Sequence, residues 1–199
     1  MRTPAMIQAT FYFDLGSPFA YLSAERIAEA LPTPVVWQPV SLGGLFKLAG
    51  RSSWSLGDPD RRQVGMAEVE RRSQLYGLPA LRWPDPWPTN YLFAMRAATF
   101  ASELGRAREF ATCAFRQAFV HGHDLAIPEH VLLAADEAGL DRRAVDDATR
   151  DPRIKLALRA ATDAAHALGV FGVPTVAVGH HLFWGDDRLA DVAAALIDL

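Results

Sequence analysis

Sulfur, lysine and long apolar runs are scarce in this chain. Its 199 residues include one cysteine, Cys113. A lone thiol excludes an internal disulfide framework and a cysteine zinc cage. Lysine occurs only at positions 47 and 155, so arginine supplies nearly all of the positive charge. Acidic residues outnumber basic ones, 23 to 20, for a formal net charge of −3. No domain-wide positive field is available to hold nucleic acid or an anionic membrane. No apolar run reaches the roughly 18 residues a membrane helix needs. The opening MRTPAMIQATFYFDLGSP lacks a long apolar region ahead of a small-residue cleavage site. A soluble cytoplasmic protein is the expectation.

What is present suffices for a packed domain. Half of the residues are hydrophobic and 22% are charged, which excludes a disordered or collagen-like chain. The length suits one domain, or one domain carrying a large insertion.

Along the chain, Ile7–Asp14 alternates, is rich in aromatics and reads as a strand. Pro18 suits the first turn of a helix, where its missing N–H has no partner to lose. Apolar spacing carries that helix over Phe19–Leu31 until Pro32 and Pro34 stop it. Val35–Val40 is a second strand, and so short a β–α–β crossover implies a parallel pair. Gly43–Gly50 reads as an apolar turn or short helix, and Arg51–Asp60 as a loop. A helix is expected over Val64–Tyr76. Leu78–Thr89, with four prolines, reads as a rigid extended loop. Helices are expected near 90–104, 109–120, 128–138, 142–148 and 152–168. Strand character returns at Val173–Val178, followed by a hairpin return over Gly179–Trp184 and a closing helix over Asp187–Leu199. The fold class is α/β: a thioredoxin-like fold with a large all-helical insertion. Residues 1–42 and 169–199 form the thioredoxin-like domain, the helix near 152–168 leads back into it, and 43–151 form the inserted helical domain.

Three segments can carry chemistry. Ser17 stands where a strand end feeds a helix, so it can cap that helix or help stabilise an anion such as a thiolate at its N-terminus. Where thioredoxin-like enzymes carry Cys-x-x-Cys in this turn, the chain reads Ser17-Pro18-Phe19-Ala20. Gly172-Val173-Pro174-Thr175 precedes a strand and is either a cis-proline turn facing Ser17 or an ordinary trans proline at a strand start. Asp186 and Asp187 precede the closing helix, as caps or as partners for a ligand ammonium.

Other positions have plain structural readings beside functional ones. His121-x-His123 has no ligand partner nearby in the sequence, so no metal site is expected. His180-His181 reads as a turn. Trp54, Trp83 and Trp87 can line an aromatic pocket or simply pack. Asn90 reads as a helix cap, and Cys113 as an inert thiol on an apolar helix face.

The segments FYFDLGSPFAYL, SLGGLFKLAG, PTNYLFAMRAA, AFRQAFVHGHDLAIPEHV, ATDAAHALGVFGVPT and LFWGDDRL, in this order, resemble the kappa-class glutathione transferases. They are more similar still to the 2-hydroxychromene-2-carboxylate isomerases of the DsbA-like thioredoxin superfamily. The resemblance implies glutathione as cofactor, a small aromatic substrate and a homodimer. It implies that Ser17 hydrogen-bonds the glutathione sulfur, with Pro18 and Phe19 beside it. Val173, ahead of Pro174, matches the residue whose backbone pairs with the cysteinyl part. Asp186 and Asp187 match the pair holding the γ-glutamyl end, and Lys47 falls on a family lysine. Three positions depart: Arg51 replaces the usual Asn, and Arg61 and Val64 stand where Lys and Tyr are common. The implied activity is glutathione-dependent cis–trans isomerisation of an aromatic keto acid. Its alternatives are kappa-type glutathione transfer and a non-catalytic glutathione-binding domain.

Overall fold

The computed structural model describes residues 8–197, so Ile7, assigned to the first strand, lies outside them. The order is β1 (Thr10–Phe13), α1 (Pro18–Ala24), α2 (Ile27–Ala30), β2 (Val36–Pro39), α3 (Leu42–Leu48), α4 (Pro59–Leu75) and α5 (Leu92–Glu103). Then come α6 (Ala107–Phe119), α7 (Pro128–Glu137), α8 (Arg142–Arg150), α9 (Pro152–Ala167), β3 (Thr175–Val178), β4 (His181–Trp184) and α10 (Leu189–Ile197). Short 3-10 turns cover Trp54–Leu56 and Asp186–Arg188. No helix among the described residues is long and apolar enough to cross a membrane.

The sheet order is β2-β1-β3-β4. β1 and β2 are parallel, with Phe11 opposite Trp37, and β1 and β3 are antiparallel, with Tyr12 opposite Thr175. As a central strand, β1 is buried on both faces, so the alternation read in the sequence does not mark a solvent-facing side. Phe11 and Phe13 point to one side, where their rings meet Trp37 at 4.9 and 5.7 Å. Phe115 of α6 closes on Phe13 at 6.0 Å. Tyr12 points to the other side, into a smaller cluster with Val40, Leu45, Ala165 and Val170. Residues of α1, α6 and α10 therefore cover one face of the sheet, and residues of α3 and α9 cover the other. Truncating any one of these buried rings to alanine costs about 3–5 kcal/mol.

Two elements differ from the sequence expectation. The first helix breaks after Ala24, because the Arg26 N–H turns back to the Ser23 carbonyl at 3.0 Å, a tighter turn than the α-helix makes. The Arg26 side chain meanwhile reaches Asp186 and Tyr76. α4 begins at Pro59 rather than Val64: Asp58 caps it by accepting from the Asp60 N–H at 3.0 Å, and Pro59 takes the first helical position.

Candidate active site

Antiparallel pairing of β1 with β3 places the end of one strand beside the start of the other. The turn after β1 therefore meets the turn before β3. Ser17 caps α1 with extended backbone angles (φ −95°, ψ 112°), and its Oγ accepts from the Ala20 N–H at 3.2 Å. The same hydroxyl donates to the Val173 carbonyl oxygen at 3.5 Å, the long limit of a hydrogen bond. The Val173–Pro174 bond is cis. The Val173 N–H has no intramolecular partner among the described residues. A buried hydroxyl and the Val173 backbone of the cis-proline bend thus sit together on one floor.

Asp186 forms one end of this floor. It is 1% exposed. Its Oδ1 accepts from Arg72 Nη1 at 2.7 Å and its Oδ2 from the Tyr76 hydroxyl at 3.0 Å. Its backbone carbonyl accepts from Arg26 Nη1 at 3.1 Å, and the Arg26 guanidinium lies 3.5 Å above the Tyr76 ring. Burial pushes the Asp186 carboxyl up, and the Arg72 charge and the Tyr76 hydrogen bond act against that. Asp187 is different: its side chain is 58% exposed, and its Oδ2 lies 3.7 Å from Arg72 Nη1. Gly185 makes this turn possible. Its φ of 121° suits glycine, and a Cβ there would lie 2.6 Å from Asp187 Oδ1.

Above the floor opens a cavity of 620 Å³. One wall is aromatic, with Phe19 6.1 Å from Trp54 and Trp54 5.5 Å from Trp87. The opposite rim pairs Phe171 with Trp184 at 4.9 Å, and the Arg51 guanidinium stands 5.1 Å over Phe171. Arg51, Arg61, Arg72 and Arg188 reach the lining, against Asp186 and Asp187. Arg72 is paired with Asp186 and Glu68, and Arg188 with Asp191. Arg51 and Arg61 have no carboxylate partner among the described residues. The cavity can therefore take an anionic ligand lying along an apolar wall.

A family model for the DSBA-like thioredoxin domain matches residues 8–197, nearly the whole chain. The chain belongs to this family. Among curated relatives, a 2-hydroxychromene-2-carboxylate isomerase of Sphingobium xenophagum is 29% identical over 197 residues, covering 94% of this chain and 97% of its own. One from Pseudomonas putida is 25% identical, with 94% and 92% covered. A solved structure of a 2-hydroxychromene-2-carboxylate isomerase superposes with a TM-score of 0.82 at 23% identity, over 96% of this chain and 95% of that one. That likeness establishes a DsbA-like thioredoxin fold for this family member.

The structure gathers Ser17, Pro18, Phe19, Arg51, Val173, Pro174, Asp186 and Asp187 around one cavity. Lys47 is not brought there: it is exposed on the last turn of α3, and its neighbour Phe46 faces the cavity instead. Arg61 lines the cavity, whereas Val64 is exposed. Of the tryptophans, Trp54 and Trp87 line it. Trp83 packs against Trp87 at 4.7 Å with its ring tilted, and donates to Glu70 at 2.7 Å. Asn90 acts as a cap, accepting from the Leu92 N–H at 3.0 Å. His123 stacks on His130 at 4.4 Å, with the His123 Nδ1 against Gln117 Oε1 and the His130 Nδ1 against the Asp124 carbonyl. No group of three or more His, Cys, Asp or Glu among the described residues is arranged to hold a metal. Cys113 is half-buried, and burial pushes its thiol up.

Sequence reasoning missed Arg72 and Tyr76. The available signal was spacing: Arg61, Gly65, Glu68 and Arg72 recur at helical intervals and share one face of α4. Nothing local in the sequence pointed to Asp186, 114 residues away from Arg72.

Proposed function

We propose that this protein is a glutathione-dependent cis–trans isomerase of an aromatic keto acid, of the 2-hydroxychromene-2-carboxylate isomerase type. The observation that carries this reading is the Ser17 hydroxyl beside the Val173 carbonyl, at the base of a cavity lined by aromatic rings and arginines. The names of the curated relatives supply the reaction class.

The residues present suit glutathione. Val173 offers an N–H and a carbonyl that can pair with an extended peptide as a strand neighbour would. Asp187 is free enough to meet an ammonium, and Arg51 stands at the other rim for a carboxylate. Positive charge exceeds negative in the lining, which suits a ligand with two carboxylates and a thiolate. When bound, glutathione supplies a sulfur nucleophile that can add to an enone carbon and leave again, freeing a bond to rotate between the two events.

The chain's own groups have separate tasks. Ser17 keeps its Oγ lone pair on the Ala20 N–H, which leaves the hydroxyl proton to point at a sulfur anion. The Phe19 N–H, with no partner in the first turn of α1, can add a second donor. Trp54 and Trp87 exclude water and hold a flat ring. Arg61, on the same wall, can hold the keto acid's carboxylate.

The test is calorimetric titration with glutathione, followed by an absorbance assay on the ring-opened hydroxybenzylidenepyruvate. The reading expects saturable binding and isomerisation that needs glutathione without consuming it. Stoichiometric loss of glutathione would make the protein a transferase, and no binding would end the proposal.

A further inference from the structure

Asp14 directly follows β1, three residues before Ser17, and is 5% exposed. Both of its oxygens are engaged by backbone. Oδ1 accepts from the Gly16 N–H at 2.8 Å, and Oδ2 accepts from the Leu42 N–H at 2.7 Å. Leu42 opens α3, the helix that carries Phe46 and leads to Arg51 on the cavity rim. The rest of the turn is held as firmly. The Leu15 N–H meets Met95 Sδ at 3.2 Å, and the Ser17 N–H meets the Asp14 carbonyl at 3.0 Å. The Tyr91 ring lies against Gly16 so closely that a Cβ there would stand 2.5 Å from Cδ2.

We propose that Asp14 is a positioning residue for Ser17: its carboxylate latches the Ser17 turn to the N-terminus of α3 and so fixes the hydroxyl against Val173. This rests on the glutathione reading above for its catalytic consequence, but the latch itself does not.

Only the ionised side chain can serve as this latch. It is acceptor-only, and two N–H donors need both oxygens. Protonation or an amide would turn a donor toward one of those N–H groups and break a bond. Burial opposes ionisation and pushes the carboxyl up to about 6, and the two N–H bonds pull it back. The titratable group facing it from the residue just ahead of α5 is the Tyr91 phenol, which burial pushes up to about 12. Tyr91 therefore stays neutral while Asp14 titrates. A buried carboxylate that resists its own charge is expected where its geometry is needed.

The experiment uses the full chain and the Asp14→Asn and Asp14→Glu variants. Amide spectra of the ligand-free protein are recorded between pH 4.5 and 8. The Gly16 and Leu42 amide signals should move together with a midpoint near 6, and should stay still in Asp14→Asn. In glutathione-dependent turnover, kcat/KM should show an acid limb at the same pH. Asp14→Asn should lose that limb and about tenfold in kcat, roughly one hydrogen bond's worth, with the glutathione KM little changed. Asp14→Glu, which keeps the carboxylate, should retain a pH-dependent limb, and it carries the test should the Asn variant fail to fold. If the wild type does not bind glutathione, the functional reading falls and the amide titration alone decides the latch. Gly16 and Leu42 signals that titrate separately or not at all, or an unchanged acid limb in Asp14→Asn, would overturn it.

Discussion

The hydroxyl of Ser17 and the carbonyl oxygen of Val173 lie 3.5 Å apart although 156 residues separate them in the chain. One side chain thereby touches both turns that flank the cavity floor. Its lone pair caps α1 through the Ala20 N–H, and its proton rests on a long, weak bond across the cavity floor. A weak bond is easily given up, so redirecting that proton to a ligand sulfur costs little.

The two adjacent aspartates should separate in experiment. Both Asp186 oxygens are taken by Arg72 and Tyr76, whereas Asp187 is exposed. Asp186→Ala should lower stability by about 1–3 kcal/mol, because it strands a half-buried guanidinium and a phenol; a denaturant melt measures this. Asp187→Ala should leave the melt unchanged and weaken glutathione binding by about tenfold or more, as for one charge-assisted hydrogen bond. Equal effects of the two variants on both measurements would contradict this division.

Gly65 sits in mid-helix, where alanine is ordinarily better by about 1 kcal/mol. Here a Cβ would stand 2.2 Å from the Trp54 ring. Gly65→Ala should therefore displace Trp54 from the cavity wall and raise the KM for the aromatic substrate, with a smaller change in the KM for glutathione. Trp54→Ala should reproduce the effect, and steady-state kinetics on both variants checks it.

Two titrations, of a partly buried His123 and a buried Asp14, pull stability in opposite directions. The His123 ring is lowered from 6.5 by burial, then by its neighbours His130 and His121. Its contribution to stability is present above pH 6.5 and is lost as pH falls through the lower folded value, since the unfolded chain binds the proton more readily. Asp14 is raised from 3.8 to about 6. Its contribution is complete below pH 3.8 and is lost as pH rises through about 6. Denaturation midpoints across pH 4–8 should therefore show a shallower acid loss in His123→Phe than in the wild type. The wild-type advantage over Asp14→Asn should shrink as pH rises through 6.

Much of the fold was legible because it rests on local rules. Pro18, Pro128 and Pro152 each open a helix, and the β-branched run at Thr175–Val178 is a strand. The Ser17 and Pro174 turns could be paired because both flank strands whose order fixes their adjacency. Arg72, Tyr76 and Arg26 were not legible, since their role depends on one residue, Asp186, more than a hundred positions away, whose carboxylate meets the first two and whose backbone carbonyl meets the third. The break after Ala24 escaped for a related reason: the helical spacing continues, and a tertiary contact of Arg26 accompanies a turn that this spacing does not reveal. Lys47 misled because its position on the family pattern says nothing about which way the last turn of α3 faces.

The central claim is that the Ser17 hydroxyl holds the sulfur of bound glutathione as a thiolate. Ultraviolet titration of thiolate absorbance in the glutathione complex, wild type against Ser17→Ala, tests it most directly. The account predicts a higher thiol pKa in Ser17→Ala, with binding largely retained through Val173 and Asp187, alongside about 1 kcal/mol of stability lost with the helix cap. A lowered melt midpoint with an unshifted thiol pKa would contradict it, leaving Ser17 as a cap alone.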